Sequence, residues 1–196
     1  WIKRSNLGIA TTIFDCNGQG YDLAFEADDE LTNSDHAAQL TTTTQALRDV
    51  SAWFHIVSSY DSDQTIGGDR NIVYINGKRV MDYSYYNVSS QATSGEAWGL
   101  SEDALAQTIG SSYNDLRHWS GYMSQYFLVD GLSIQNGDFT IASFGEFSNN
   151  VWRPIDLTGL TFGTNGYLLD FADSSNLGND VSGNDNDWTS DSIAPA

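Results

Sequence analysis

The chain has one cysteine, Cys16, which excludes an intrachain disulfide and leaves the fold to be held by its core. It has only two prolines, so little in it forbids regular strands. Positive charge is also scarce: eight Lys and Arg face 26 Asp and Glu, a net charge of −18. The basic residues Lys3, Arg4, Arg48, Arg70, Lys78, Arg79, Arg117 and Arg153 are scattered and form no stripe. Nucleic acid and anionic membrane surfaces are therefore disfavoured as partners. No apolar run approaches the ~20 residues of a membrane-crossing helix, so no membrane insertion is expected, and no secretory leader is visible. The chain opens at Trp1 without an initiator methionine and reads as a processed piece of something longer, so missing targeting signals exclude nothing.

What is abundant is aromatic and glycine content, with 10 Tyr, 9 Phe, 6 Trp and 18 Gly. That is ample apolar area for one substantial core in a chain of 196 residues. The apolar segments are short, alternating and rich in Tyr, Phe, Ile, Val and Thr, which is the strand pattern. Strands are predicted near Ile9–Asp15, Tyr21–Ala27, Ala38–Thr43, Trp53–Tyr60, Ile72–Ile75, Lys78–Met81, Ala106–Ile109 and Tyr122–Val129. In "YINGKRV", Asn76-Gly77 supplies the two positive-φ residues of a type I′ hairpin, and Asn17-Gly18 repeats the signal between two other strands. The single helical signal is "SEDALAQTI", with Ser101 as N-cap, long enough for a turn or two. The expected class is all-β: a two-sheet antiparallel sandwich over residues 1–131, followed by an irregular Asn/Asp/Gly-rich extension, 132–196, packed upon it.

Catalytic patterns are missing. No Glu-x-Asp-x-x-Glu run pairs carboxylates on one strand, and Glu26, Glu30, Glu96, Glu102 and Glu146 are dispersed. There is no Gly-x-Ser-x-Gly elbow, phosphate-binding loop, dinucleotide fingerprint or zinc spacing. His55 falls in a predicted strand, where a structural role is expected. The expectation is a protein that is not an enzyme.

Calcium is the one cofactor the residues raise, because it takes six to eight oxygen ligands. The stretch "LLDFADSSNLGNDVSGNDNDW" offers Asp180, Asp185 and Asp187, and the loop after the Trp53 strand offers Asp61, Asp63 and Asp69. Against this, Asn and Asp build turns by bonding their own backbone and tolerate positive φ, and that reading is favoured for the tail. Aromatic side chains suggest sugar stacking. "MDYSYYN" must expose at least one of Tyr83, Tyr85 and Tyr86, because alternation forbids all from facing inward. Trp98, Tyr113 and Trp119 lie in loops or at strand ends, while Trp53, Tyr74 and Phe127 are expected in the core.

Four pieces occur in order: "LRDVSAWFHIVSSYDSD", "DRNIVYINGKRV", "TIGSS" and "WSGYMSQYFLVDG". Through Trp53, His55, Tyr60, Asp61, Tyr74, Asn76, Gly77, Ile109, Gly110, Gly121, Tyr122, Asp130 and Gly131, this order resembles the laminin-G-like, concanavalin-A-like jelly-roll family. The flanks "WIKRSNLG", "FGEFSNNVWRP" and the oxygen-rich tail resemble structural proteins of tailed, marine-type bacteriophages. Gln125 departs from the family, whose members often carry an acidic residue near that place. The resemblance implies calcium at the rim loop of Asp61, Asp63 and Asp69. It also implies a virion or extracellular location, as capsid decoration or part of a tail fibre. The function expected on that basis is adhesion through weak, multivalent glycan binding at a host surface, with other virion subunits or further copies of the chain as partners. The alternatives are a purely architectural virion module whose tail from Phe144 is the contact strap, and, behind it, a glycan-cleaving enzyme.

Overall fold

The computed structural model describes residues 1–16, 20–35, 38–87, 106–191 and 193–195. The molecule is an all-β sandwich built from antiparallel sheets. Among the described residues the strands are β1 (Ile2–Arg4), β2 (Thr11–Cys16), β3 (Tyr21–Phe25), β4 (Glu30–Asp35), β5 (Ala38–Ala46), β6 (Ile56–Tyr60), β7 (Asn71–Ile75), β8 (Lys78–Arg79), β9 (Tyr83–Tyr86), β10 (Gln107–Ile109), β11 (Gly121–Met123), β12 (Tyr126–Leu128), β13 (Glu146–Ser148), β14 (Val151–Arg153) and β15 (Tyr167–Leu169). A six-stranded sheet runs β10-β2-β3-β4-β5-β9, and a three-stranded sheet runs β6-β7-β8. Two-stranded ribbons β1-β11, β12-β15 and β13-β14 complete the described strands. The Ser101 helical turn, Asn17-Gly18 and Trp98 lie outside the described residues.

Alternation along β7 explains the layering. Val73 and Ile75 point into a core shared with Phe14, Leu23, Phe25, Leu31 and Leu40 of the six-stranded sheet. Tyr74, between them, points the other way, into a second core with Val57, Phe144, Leu157, Phe162 and Leu168. β12 divides in the same manner, Tyr126 toward the first core and Phe127 toward the second. The middle layer is thus covered on both faces, and the two serines of β6 find partners on either side, Ser58 with Tyr21 and Ser59 with Gln135. The segment after Gly131 closes the second core, and its β15 pairs with β12.

The hairpin at Asn76-Gly77 forms as its sequence dictates, with φ of 50° and 75° and Ile75 opposite Lys78. The Asn76 side chain accepts from the His55 amide at 2.8 Å. Gly77 is required twice over, since a Cβ there would also meet the Trp152 ring at 2.4 Å. At the other end, buried Arg4 locks β1 to the first sheet. It bonds Asp29 and the Leu47 carbonyl, each at 2.9 Å, and lies 4.2 Å from the Phe25 ring.

Three expectations need correction. Trp53 is 41% exposed, because Phe54 takes the buried position beside Ile2 and regular pairing starts only at Ile56. The predicted strand Tyr122–Val129 is two strands, broken where Gln125 adopts φ 47°. No strand is expected at β4, since "ELTNSD" has the composition of a loop, yet Thr32 and Asn33 are buried and bonded across to β5.

Candidate functional site

β9 is an edge of the six-stranded sheet and carries the tyrosine cluster. In a regular strand, residues 83 and 86 would face opposite sides. Here the register with β5 shifts: Thr42 opposes Tyr85, Thr43 opposes Tyr83, and Ser84 is left over. That bulge brings Tyr83 and Tyr86 to one side, their rings 5.2 Å apart at 44°. Tyr85 goes to the other side, exposed, its hydroxyl accepting from the Asn87 amide.

Tyr83 and Tyr86 form one wall of a cleft of about 310 Å³ at the seam between β9 and the β7–β8 hairpin. The volume is at the lower end of the range for small-molecule sites, about 300–1,000 Å³. Arg79, Val80 and Met81 also line it, together with Asn71 and Ile72 of β7. Burial, with Tyr86 close by, pushes the Tyr83 hydroxyl up to about 12, and the Val73 amide donates to it. Burial also raises Tyr86, with Asp69 adding to the effect, and its hydroxyl donates to the Gly68 carbonyl at 2.8 Å. Both phenols are therefore neutral donors and acceptors at physiological pH. Arg79 is held by Asp69 at 2.9 Å, a half-exposed pair that fixes the guanidinium and adds little stability.

A buried polar relay crosses the first core and ends at this cleft. Thr41 Oγ1 donates to Asn33 Oδ1 at 2.6 Å, and Asn33 Nδ2 donates to Tyr21 Oη at 3.2 Å. Tyr21 Oη donates to Ser58 Oγ at 2.6 Å, and Ser58 Oγ to Asn71 Oδ1 at 3.4 Å. Asn71 is 1% exposed, yet its amide nitrogen has no protein partner.

The other predicted site residues fall elsewhere. Trp119 sits by β10, at the sheet edge opposite β9, with its ring 6.2 Å from Phe25. Its indole N–H is enclosed. The ring is thus packed against the core and separate from the tyrosine wall.

Asp61, Asp63 and Asp69 do not gather. Asp61 accepts from Ser133 Oγ, Gln64 Nε2 and the Asp63 amide, tying its loop to the C-terminal segment. Burial opposes these bonds, but together they hold Asp61 below the usual carboxylate range. In the tail, Asp180 accepts from the Leu168 and Ser182 amides, Ser182 Oγ and the Asn186 amide. Asp187 accepts from the Asp180 amide, and Asp185 takes φ 59° in the turn. Asn184 and Asn186 donate their side-chain amides to the carbonyls of Gly163, Thr164 and Gly166. The oxygen-rich stretch therefore builds turns and stitches them to the neighbouring loop. Among the described residues, no three His, Cys, Asp or Glu side chains are grouped for a metal ion.

Folding brings together one carboxylate pair that spacing could not reveal. Asp15 of β2 lies directly opposite Asp22 of β3. Burial pushes Asp22 up to about 6, with Asp15 and Glu26 adding to the rise and Ser34 and Arg117 opposing it. The loop after β10 lies across the pair: the Tyr113 amide donates to Asp15, and Arg117 bonds Glu26 at 2.6 Å and reaches the Phe25 carbonyl. His55 is likewise structural. It stacks on Trp1 at 4.6 Å, its Nδ1 accepts from Trp152 Nε1 at 3.0 Å, and burial lowers its pKa to about 3.

No protein-family model, curated protein or solved structure matches the chain.

Proposed function

We propose that this chain is a non-enzymatic binding module whose Tyr83–Tyr86–Arg79 cleft takes one sugar ring of a host-surface glycan. The observation that carries this reading is the bulge on β9. It holds two neutral tyrosines side by side against a recess of about 310 Å³ that is also lined by Arg79, whose guanidinium is paired with Asp69. An apolar ring face for C–H contacts, flanked by donors and acceptors, is what a sugar requires. The net charge of −18 opposes polyanions and suits a neutral glycan. The resemblance of the flanks "WIKRSNLG" and "FGEFSNNVWRP" to structural proteins of tailed bacteriophages supports a virion location. There, many copies turn weak single-site affinity into avidity. The test is binding of neutral oligosaccharides followed by NMR. Tyr86→Ala is expected to weaken binding at least about tenfold while Tyr85→Ala leaves it unchanged; equal effects of the two substitutions reject the cleft.

One observation favours an architectural role beside this. The β13–β14 hairpin leaves Phe147, packed edge-on against Trp152 at 4.9 Å, and Val151, on the opposite face of the ribbon, 53% and 55% exposed. The exposed hairpin is the place for a subunit contact, and light scattering on wild type and Phe147→Ser/Val151→Ser tests it. Loss of an oligomer in the double variant supports the contact, and an unchanged monomer removes it.

A further inference from the structure

We infer that the cleft selects neutral sugars with two adjacent gauche hydroxyls, which the Arg79–Asp69 pair binds together: one hydroxyl accepts from the guanidinium and its neighbour donates to the carboxylate. The inference rests on reading the cleft as a sugar site and names the substrate class for it. The pair is reachable, since Arg79 lines the recess and the two side chains are 40% and 42% exposed. Asp69 follows Gly68, bonds Arg79 and lies close enough to Tyr86 to act on its phenol, and all three of those residues line the recess. The carboxylate thus stands at the rim. Among the described residues, the 2.9 Å bond from Arg79 Nη2 to Asp69 Oδ1 is the one side-chain hydrogen bond that either group makes. The remaining guanidinium N–H groups and Asp69 Oδ2 are left for a ligand.

The pairing decides what fits. A lone guanidinium would favour an anion, and a lone carboxylate a cation. With the two held 2.9 Å apart, either charged ligand is drawn by one group and repelled by the other, and the net charge of −18 disfavours the anion further. A ligand that offers an acceptor and a donor side by side satisfies both. A trans amide points its C=O and N–H in opposite directions and serves only one of them. Two gauche hydroxyls on neighbouring ring carbons stand about as far apart as the Arg79 and Asp69 atoms, and each hydroxyl can donate and accept. Hydroxyl bonds to ionised groups are also the stronger kind. The clamp is in register with the stacking wall, because one 3-10 turn, Gly67–Asp69, anchors both. It holds Tyr86 through the Gly68 carbonyl at 2.8 Å and Arg79 through the Asp69 carboxylate. Binding therefore orders little that is not already placed.

The experiment titrates the protein with the methyl glycosides of glucose, mannose and galactose, followed by NMR shifts, and compares the tightest of them with its 3-deoxy and 6-deoxy forms. Loss of the 3-hydroxyl breaks every adjacent hydroxyl pair on the ring, whereas loss of the 6-hydroxyl breaks none. The wild type is expected to bind the 3-deoxy form at least about tenfold more weakly than the parent, and the 6-deoxy form within about threefold of it, because a site built to bond a hydroxyl rejects the analogue lacking it. Asp69→Ala removes the acceptor and unpairs the guanidinium. It is expected to cut the preference for the parent over the 3-deoxy form to about threefold or less, while Tyr86→Ala weakens both sugars. Equal binding of the parent and its 3-deoxy form by the wild type, or equal losses from the two deoxy forms, overturns the diol clamp and leaves the sugar cleft standing. Full wild-type preference in Asp69→Ala overturns the assignment to this pair. Binding of none of the three glycosides overturns the clamp and the sugar cleft together. The fold of each variant is checked by circular dichroism, and the comparison on wild type decides the matter even if a variant does not fold.

Discussion

Asp22 accepts a hydrogen bond from Ser34 and Asp180 accepts four, and their protons are held in opposite senses. Burial dominates at Asp22 and raises it to about 6. At Asp180 burial pulls the same way, but the bonds from Leu168, Ser182 and Asn186 outweigh it and lower the pKa. The folded state therefore keeps a proton on Asp22 that the unfolded chain has already lost above about pH 4. The Asp22 contribution to stability falls as pH rises from about 4 to about 6, then stays level. Asp22→Asn is expected to be more stable than wild type at pH 7, by up to about 3 kcal/mol, and the gap closes toward pH 4. Urea midpoints across that range check it; a gap that does not change with pH rejects the buried-proton account. For Asp180 the sign reverses: its contribution is present above about pH 4 and is lost as pH falls through the lowered value. Asp180→Ala strands several donors and is expected to cost about 2–4 kcal/mol. With that carboxylate already filled, a chelator is expected to leave the melting temperature unchanged. A drop of several degrees on chelation would restore calcium to the tail.

Among the elements, the β13–β14 hairpin is held chiefly by Trp152, whose ring lies over Gly77 and Gly145 and whose indole bonds His55. Trp152→Ala is expected to lower stability by about 3–5 kcal/mol. Phe147→Ser removes only a half-exposed edge contact with the Trp152 ring at 4.9 Å and is expected to cost about 0.5–1.5 kcal/mol. Denaturant unfolding of the two variants measures the difference. The sequence was readable where a local rule decides the structure. The β7–β8 turn follows from Asn76-Gly77 alone, and the apolar alternation of β3 and β6 points to strands. It was unreadable where a distant partner decides. Nothing near Ser84 announces the bulge that unites Tyr83 with Tyr86, because that slip belongs to the pairing with β5. Asn33 and Asn71 look like loop residues until Tyr21 and Ser58 are placed between them. The Asn- and Asp-rich tail was legible as turns, since each Asx bond spans only a few residues, but its stitching to Gly163–Gly166 was not.

For the whole molecule, two cores share one middle layer, so neither is complete without the other's strands. A fragment of residues 1–131 leaves Val57, Tyr74 and Phe127 without Phe144, Phe162 and Leu168 above them. It is expected to aggregate or to lack cooperative unfolding. A monomeric fragment with a sharp transition, seen by light scattering and calorimetry, would show that the second core is dispensable. The net charge of −18 acts on the same scale. Self-repulsion weakens as ions shorten its reach, so the melting temperature is expected to rise between about 10 mM and about 0.5 M sodium chloride.

The order of strands in the large sheet also sets a timetable. β2 lies between β3, which follows it almost at once, and β10, whose Thr108 is 93 residues beyond Asp15. A nascent or refolding chain must keep one flank of β2 unoccupied until that late strand arrives, and such distant closures slow the search to milliseconds or longer. During the wait, an open ladder rich in Thr and Phe invites a neighbouring chain. Refolding yield is thus expected to fall with protein concentration, even though the finished molecule holds that flank under β10.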